Sequence, residues 1–136
     1  MKVVLDTNVI IAAFSARGLC ADLLEVCLAD HQIFTSGHIL DEVQDNLLKK
    51  LRLADDRVAE IRIFLESVAS IVIPVDVAMG VCRDIDDLPV IGTALAACAP
   101  VLVTGDKDLL SLESVDGVRM LTPRQFWEML HHYSRE

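Results

Sequence analysis

Residues 2–6 have the sequence Lys2-Val-Val-Leu-Asp6, in which a short apolar run ends at a carboxylate. Residues 101–106 repeat this arrangement as Val101-Leu-Val-Thr-Gly-Asp106. Unbroken runs of Val and Leu are typical of strands that are buried on both faces of a parallel sheet. Each acid is therefore expected at the carboxyl end of a buried strand, which is where ligands bind in open α/β sheets.

Strand and helix patterns alternate along the rest of the chain. Apolar runs predict strands at residues 2–5, 32–35, 71–73 and 101–103, and a fifth at residues 118–121. Helical patterns cover residues 9–14, 21–29, 37–51, 55–67, 87–97 and 123–131. The predicted helix N-caps are Ser36, Asp55 or Asp56, Asp86 or Asp87, and Thr122. This order predicts an α/β fold with a mostly parallel central sheet of four to five strands, formed by a single domain over residues 1–136.

The composition favours an aliphatic, cytoplasmic protein. Hydrophobic residues make up 53% of the chain and aromatic residues only 4%, so Val, Leu, Ile and Ala must fill the core. No segment has the ~20 consecutive apolar residues that cross a bilayer, and no cleavable signal follows the first apolar stretch. The four cysteines have no CxxC spacing, which argues against zinc and disulfides. The apolar surplus predicts one more buried face, as in a homodimer.

The net charge of the chain shows that its surface as a whole does not attract nucleic acid. There are 21 acids and 12 bases, which give a formal net charge of −9, whereas proteins that bind phosphate backbones are normally basic. A nucleic-acid substrate would therefore need bound cations or a local basic patch. Arg17, Lys49, Lys50 and Lys107 are the candidate substrate-binding residues, and each also has a plain structural explanation as a helix-end or surface charge.

Asp87 heads a helical pattern whose apolar stripe consists of Ile91, Ala94, Leu95 and Cys98. At about 100° per residue, Asp87 points close to the centre of that stripe, whereas Asp86 points away from it. A carboxylate that faces the protein in this way is costly without a partner or a metal ion. Asp87 is therefore a third candidate for the acidic site.

The helical pattern at residues 37–51 contains two more acids. Asp41 and Glu42 flank its apolar stripe on opposite edges at similar angles, so periodicity does not choose between them. Taken singly, Glu42 is more typical of a solvated helix surface, and Asp6 and Asp106 are explained equally well by turns or helix caps. Two acids in equivalent positions after two buried strands are together better explained by a shared site.

Converging carboxylates predict a metal site. At neutral pH they repel one another, which raises their pKa values and lowers stability. Hard divalent cations relieve this repulsion, and oxygen-only sites select Mg²⁺ or Mn²⁺ over zinc. Such ions activate water and neutralise charge that develops on a phosphoryl group. No Ser-His-Asp or Cys-His grouping and no phosphate-binding glycine loop competes with this interpretation.

Four motifs, in order, resemble those of the PIN domain family, and in particular the toxin components of bacterial toxin–antitoxin systems. The motifs are Val4-Leu-Asp-Thr-Asn-Val9, Ser36-Gly-His-Ile-Leu-Asp-Glu-Val43, Arg83-Asp-Ile-Asp-Asp-Leu-Pro-Val-Ile-Gly-Thr-Ala94 and Val103-Thr-Gly-Asp-Lys-Asp-Leu-Leu110. The resemblance implies a three-layer α/β/α sandwich. It also implies a Mg²⁺- or Mn²⁺-dependent endoribonuclease, restrained by a small antitoxin, that leaves a 5′-phosphate and a 3′-hydroxyl.

The resemblance also implies roles for individual residues. The catalytic and metal-binding acids are Asp6, Glu42 (rather than Asp41), Asp87 and Asp106. The supporting polar residues beside them are Thr7, Asn8 and Thr104, and Asp108 is an outer acid. Pro89 and Gly92 are poor helix residues within the Asp87 motif, so the first turn of that helix is expected to be distorted.

Two other functions remain open from the sequence. A PIN-like module without catalysis would keep the fold and bind a partner through its apolar surplus. A phosphotransfer or phosphatase domain would use Asp6 as a nucleophile. Phosphatases of the haloacid-dehalogenase type need a second Asp two residues further on, and that position is Asn8 here. The paired acids of receiver domains are missing as well.

Overall fold

The computed structural model describes residues 1–134 of the chain. Within that range, the strands are β1 (Lys2–Leu5), β2 (Gln32–Thr35), β3 (Ser70–Ile71), β4 (Val101–Val103), β5 (Ser114–Val115) and β6 (Val118–Leu121). The helices are α1 (Thr7–Ser15), α2 (Leu19–Asp30), α3 (Gly37–Lys49), α4 (Asp55–Val68), α5 (Leu88–Ala97), α6 (Lys107–Leu110) and α7 (Pro123–Ser134). A short 3-10 helix at Ile85–Asp87 leads into α5.

All the strands form one sheet in the order β3-β2-β1-β4-β6-β5. Neighbouring strands are parallel except for β5, which is antiparallel to β6. The central strand β1 pairs with β2 on one side and with β4 on the other, so Val3 lies opposite both Ile33 and Val101. Helix α5 contacts β1, β2 and β4, while α2 and α7 contact each other. The predicted α/β/α sandwich around a mostly parallel sheet is confirmed.

The buried strands are those that the apolar runs predicted. Val3, Val4 and Leu5 of β1 and all three residues of β4 are almost completely excluded from solvent. They belong to one hydrophobic cluster that also contains side chains from the helices on the sheet. The largest fully buried side chain is Phe126 of α7, and the rest of the cluster is mainly aliphatic. The sheet is therefore covered by helices, as parallel sheets require.

The sheet has six strands instead of four or five. The added strand is β5, whose two residues are too few to produce an apolar pattern. It forms a hairpin with β6 through a turn in which Asp116 and Gly117 both have positive φ angles. The third strand is also shorter than predicted, because regular pairing with β2 ends at Ile71 and only the Val72 N–H continues it, by a bond to Thr35.

Two of the predicted helix caps are confirmed. Ser36 Oγ accepts a hydrogen bond from the Ile39 N–H at the start of α3, and Thr122 Oγ1 accepts one from the Gln125 N–H in α7. The cap predicted for α4 is wrong. Ala54 occupies the cap position, and Asp55 and Asp56 lie in the first turn of the helix, where negative charge is favoured by the helix dipole.

The start of α5 differs from the regular helix that the periodicity assumed. Asp87 ends the 3-10 helix and occupies the N-cap position of α5, and its side chain makes no capping hydrogen bond. The expected distortion is therefore present. Cys98, which the predicted stripe included, instead ends α5 with a left-handed backbone and is exposed. A left-handed residue redirects the chain, so periodicity cannot be extended through it.

Among residues 1–134 we find no helix with the length and apolar composition needed to traverse a lipid bilayer. The last two residues of the predicted domain, 135 and 136, lie outside the described residues.

Candidate active site

Asp6 lies at the carboxyl end of β1, and the sheet itself fixes its backbone. Its N–H donates to the carbonyl oxygen of Val103 in β4 at 2.9 Å. Its Oδ1 accepts from the Thr7 N–H at 2.8 Å and so caps α1. The residue is only 6% exposed. Asp6 is therefore the helix cap that the simplest explanation expects, and at the same time a carboxylate held at the rim of the sheet.

Thr104 joins the two acids that follow β1 and β4. Its Oγ1 donates to Asp6 Oδ2 at 2.7 Å and accepts from the Asp106 N–H at 3.0 Å. Asp106 in turn caps α6, because its Oδ1 accepts from the Asp108 N–H at 2.7 Å. The two strand-end acids are brought together since β1 and β4 are direct neighbours in the sheet.

The choice between Asp41 and Glu42, which periodicity left open, has a clear structural answer. Glu42 Oε1 accepts from Thr7 Oγ1 at 3.0 Å, so this side chain faces the start of α1 beside Asp6. Asp41 forms an ion pair with Arg62 of α4 at 2.7 Å and is exposed. Glu42 therefore belongs to the acidic cluster, and Asp41 belongs to the contact between α3 and α4.

Asp87 reaches the same cluster from the 3-10 helix, where it is half-buried. Burial, followed by the negative charges of Asp106, Asp6, Asp84 and Asp108, raises the pKa of Asp87 to about 7. Cys82 Sγ lies 3.9 Å from its Oδ2. Ionisation of Asp87 is therefore disfavoured unless a cation compensates its charge.

The pKa of Asp6 is raised as well, and its causes oppose one another. Burial is the largest cause and raises the pKa, while the hydrogen bonds from Thr104 and Thr7 lower it. The charges of Asp106 and Glu42 then raise it further. The carboxylates thus perturb one another across three different elements, which is the electrostatic signature of a candidate functional site.

One pocket of about 190 Å³ connects these groups. It is lined by six acids, which are Asp6, Glu42, Asp84, Asp86, Asp87 and Asp106. Thr7, Asn8 and Asn46 add neutral polar groups, and Lys50 adds a positive charge. The four acids of the sequence-based hypothesis therefore meet in one place at the carboxyl ends of the strands.

The basic residues of the hypothesis are distributed less favourably. Lys50 lies just after α3 and lines the pocket. Arg17, Lys49 and Lys107 are exposed, and none of them is among the residues that line it. Lys107 is the first residue of α6, where its backbone follows the cap formed by Asp106. Lys50 is thus the cation that the structure brings to the acids.

A comparison with known protein families agrees with this fold and with the acids at the carboxyl ends of its strands. The family model of the PIN domain matches residues 2–108. The chain belongs to the PIN domain family. The matched residues include all four acids of the candidate site, and membership in this family supports a nuclease.

Individual proteins resemble this PIN domain in sequence or in structure. The chain is 33% identical to the uncharacterized protein MJ1680 of Methanocaldococcus jannaschii, over 94% of this chain and 90% of that protein. It is similar in structure to a chain of VapBC2 from Rickettsia felis, solved bound to a DNA fragment of its promoter. The TM-score is 0.61 at 18% identity, and the match covers 90% of this chain and 98% of that one. The PIN domain of RRP44 from T. brucei matches with a TM-score of 0.51 at 18% identity, over 98% and 82% of the two chains.

The acids of this PIN domain fit a divalent cation. Carboxylate oxygens of Asp87, Asp106 and Asp108 all lie within 4.8 Å of one another. An oxygen-only donor set of this kind suits Mg²⁺ or Mn²⁺, and a bound cation would remove the repulsion that raises the pKa of Asp87. Asp108, expected only as an outer acid, lies inside this tight group, whereas Asp6 and Glu42 lie outside it.

Several residues of the pocket had no assigned role in the sequence-based hypothesis. Asp84 and Asp86 were not among the predicted site residues, yet both line the pocket. Asn46 donates to the Glu42 carbonyl one turn earlier in α3. The dense acidic run at residues 84–87 was the available signal for the two aspartates. Asn46 gave no signal, because a single amide on a helix surface is ordinary.

Proposed function

We propose that this chain is a Mg²⁺- or Mn²⁺-dependent endoribonuclease whose catalytic acids are Asp6, Glu42, Asp87 and Asp106. The observation that carries the proposal is the single pocket that these four side chains share. The six acids around it would repel a phosphate group, so a cation is needed for phosphodiester chemistry there. PIN family membership supports the nuclease activity.

The chain's own residues would prepare the site for such an ion. Asp6, Glu42, Asp87 and Asp106 would hold it, with Asp108 close to Asp87 and Asp106, and Mg²⁺ or Mn²⁺ would supply Lewis-acid activation and charge neutralisation at the scissile phosphate. Thr104 and the Thr7 N–H fix both oxygens of Asp6, so that carboxylate keeps one orientation. Lys50 would contact a phosphate of the substrate, since it is the cation that lines the pocket.

We further propose that the enzyme is the toxin component of a toxin–antitoxin pair and acts as a cytoplasmic homodimer. The structural likeness to a chain of a VapBC pair supports an antitoxin partner. Several large apolar side chains are strongly exposed, namely Ile63, Ile73, Met79 and Ile85. An exposed apolar surplus of this kind supports burial against another chain.

The geometry disfavours the phosphotransfer alternative. A nucleophilic Asp6 would need an accessible, loosely held oxygen. Both of its carboxylate oxygens accept hydrogen bonds, from Thr7 and Thr104, and the residue is buried. The alternative of a non-catalytic interaction module is distinguished from a nuclease by the cleavage experiment below.

The test is RNA cleavage by the purified protein with Mn²⁺, with Mg²⁺ and with EDTA. We expect cleavage with either ion, none with EDTA, and none for Asp6→Asn. Asparagine also caps helices well, so this variant should keep its fold. Asp45→Asn is the matched control, because Asp45 is an exposed acid on α3 that does not line the pocket. An Asp6→Asn protein that cleaves as fast as the parent would refute the proposed site.

A further inference from the structure

His38 lies beside the candidate site and has no role in the function proposed above. It is the second residue of α3 (Gly37–Lys49), and it precedes Glu42 by four positions, so the two side chains share a face of the helix. Its Nε2 lies 3.1 Å from Glu42 Oε1. The two side chains are 31% and 36% exposed, so the pair is partly shielded from water.

The ring nitrogen that approaches Glu42 is itself buried. Within residues 1–134, Nε2 of His38 makes no hydrogen bond of standard geometry, although it is within ion-pair distance of Glu42. A buried ring nitrogen without a partner is unfavourable. In the tautomer that carries its proton on Nε2, His38 is a donor, and Glu42 Oε1 is an acceptor within reach of it. The position of the atom therefore points to a bond from His38 to Glu42.

Thr7 approaches the same carboxylate oxygen from another element. Its Oγ1 donates to Glu42 Oε1 at 3.0 Å, from the first turn of α1. With His38 as a second donor, two groups would restrict the plane of the carboxylate, and the approaches that the structure records are both to Oε1. The second oxygen of Glu42 is therefore the atom left to a ligand.

Repulsion explains why Glu42 has to be held. Its charge acts on Asp6, and four further acids line the same pocket. A glutamate has several rotatable bonds, and like charges would drive it outward into solvent, where they are screened. The donors on Oε1 oppose that movement and keep the carboxylate facing the other acids before any ion arrives.

We infer that His38 is a positioning residue that, together with Thr7, holds Glu42 in the conformation that binds the divalent ion. This inference rests on the proposed nuclease function. The simpler explanation is that His38 and Glu42 form an ordinary pair one turn apart that supports α3 alone. The two explanations differ in what the loss of the donor changes, which is ion affinity in the first case and helix stability in the second.

The experiment compares His38→Met with His38→Gln. Methionine has a similar length and no donor, whereas the glutamine amide can donate from about the same position as Nε2. His31→Met is the control, because His31 follows α2 at the amino end of β2 and does not line the acidic pocket. The readouts are the Mn²⁺ dissociation constant by calorimetry and the unfolding temperature in EDTA.

We expect His38→Met to weaken Mn²⁺ binding about tenfold or more, as for the loss of other partners that orient metal ligands. His38→Gln should stay within about threefold of the parent, by the same measure, and His31→Met should match the parent. The inference is overturned if His38→Met binds Mn²⁺ as tightly as the parent, or if His38→Gln loses as much affinity as His38→Met. It is also overturned if His38→Met lowers the unfolding temperature in EDTA by enough to account for its weaker Mn²⁺ binding. A parent protein that binds no Mn²⁺ would overturn both this inference and the proposed function, whereas an unaffected His38→Met would overturn this inference alone.

Discussion

The hydroxyl oxygens of Ser36 and Thr93 lie 2.8 Å apart, although 57 positions separate the two residues in sequence. Both side chains are completely buried. Ser36 caps α3, which carries Glu42, and Thr93 lies in α5, which follows Asp87. Thr93 Oγ1 also lies 2.7 Å from the Pro89 carbonyl oxygen, to which it donates if Ser36 donates to Thr93. The pair thus connects the helices on which two of the four acids depend.

Thr93→Val should destabilise the protein. The substitution keeps the shape of the side chain but leaves the buried Ser36 hydroxyl without its partner, at a cost of about 1–3 kcal/mol. Urea denaturation measures this loss. Thr93→Ser is the control, since it keeps the hydroxyl and removes only a methyl group, for about 0.8 kcal/mol. A valine variant as stable as the parent would show that the link between the helices is not maintained in solution.

Without divalent ions, the stability of the protein should fall as the pH rises from about 4 to about 8. The usual pKa of an aspartate, 3.8, is raised to about 7 for Asp87 in the folded protein. Between these values the folded state binds more protons than the unfolded state, so the free energy of unfolding decreases with pH. Asp87→Asn should remove this contribution, so that the variant exceeds the parent in stability at pH 8 and approaches it near pH 4.

Thermal unfolding in EDTA across this pH range tests the prediction for Asp87. Asp116→Asn is a suitable control, because Asp116 lies in the exposed turn between β5 and β6. Its pH profile should parallel that of the parent. A profile for Asp87→Asn that also parallels the parent would show that Asp87 is ionised normally in the folded protein.

Divalent ions should stabilise the folded protein at pH 8, because the acids proposed to bind them are brought together only by folding. At an ion concentration of ~100 times the dissociation constant, the gain is 2.7 kcal/mol. Asp108→Asn should lower the Mn²⁺ affinity by at least about tenfold, because Asp108 belongs to the tight group with Asp87 and Asp106. Asp86→Asn should have a smaller effect, since Asp86 lines the pocket but lies outside that group. If Asp108→Asn and Asp86→Asn lose the same Mn²⁺ affinity, the ion does not bind preferentially at the group of Asp87, Asp106 and Asp108.

Gly92→Ala should destabilise the protein even though alanine is the better helix former. A Cβ at position 92 would overlap the Val75 carbonyl oxygen, in a segment that also donates its Val75 N–H to the Gly92 carbonyl. The gain of about 1 kcal/mol in helix propensity is opposed by a backbone clash, and overpacking costs about 1–3 kcal/mol. Gly37→Ala, at a helical position with open space around it, is the control in the same urea titration. The prediction fails if both variants are equally stable.

The parts of the fold that follow from burial could be predicted from the sequence. β1, β2, β4 and β6 have the predicted boundaries, because strands inside a covered parallel sheet carry runs of apolar residues that end where the chain leaves the sheet. The same logic brought Asp6 and Asp106 together. The cap Ser36 was predictable since its bond to the Ile39 N–H is local.

The parts that depend on distant contacts could not be predicted. Whether Asp41 or Glu42 faces the pocket is decided by Arg62 and Thr7, which belong to other elements. Gly92 reads as a helix breaker, yet its role is to admit the backbone of Val75. Asp87 was assigned from an α-helical wheel, whereas it lies in a 3-10 turn. The family motif, which does not depend on the type of helix, was therefore the better reason for placing Asp87 in the pocket.

The charges around the pocket imply an order of events for a nuclease. Among the residues that the structure describes, six acids and one lysine line it, so an RNA strand that arrives before any cation meets an opposing field and associates slowly. Ions that arrive first reverse the local sign and admit the strand. We therefore expect the cation to bind before the RNA strand does. If the chain is the proposed nuclease, the concentration of free magnesium would determine how much of the protein can capture RNA.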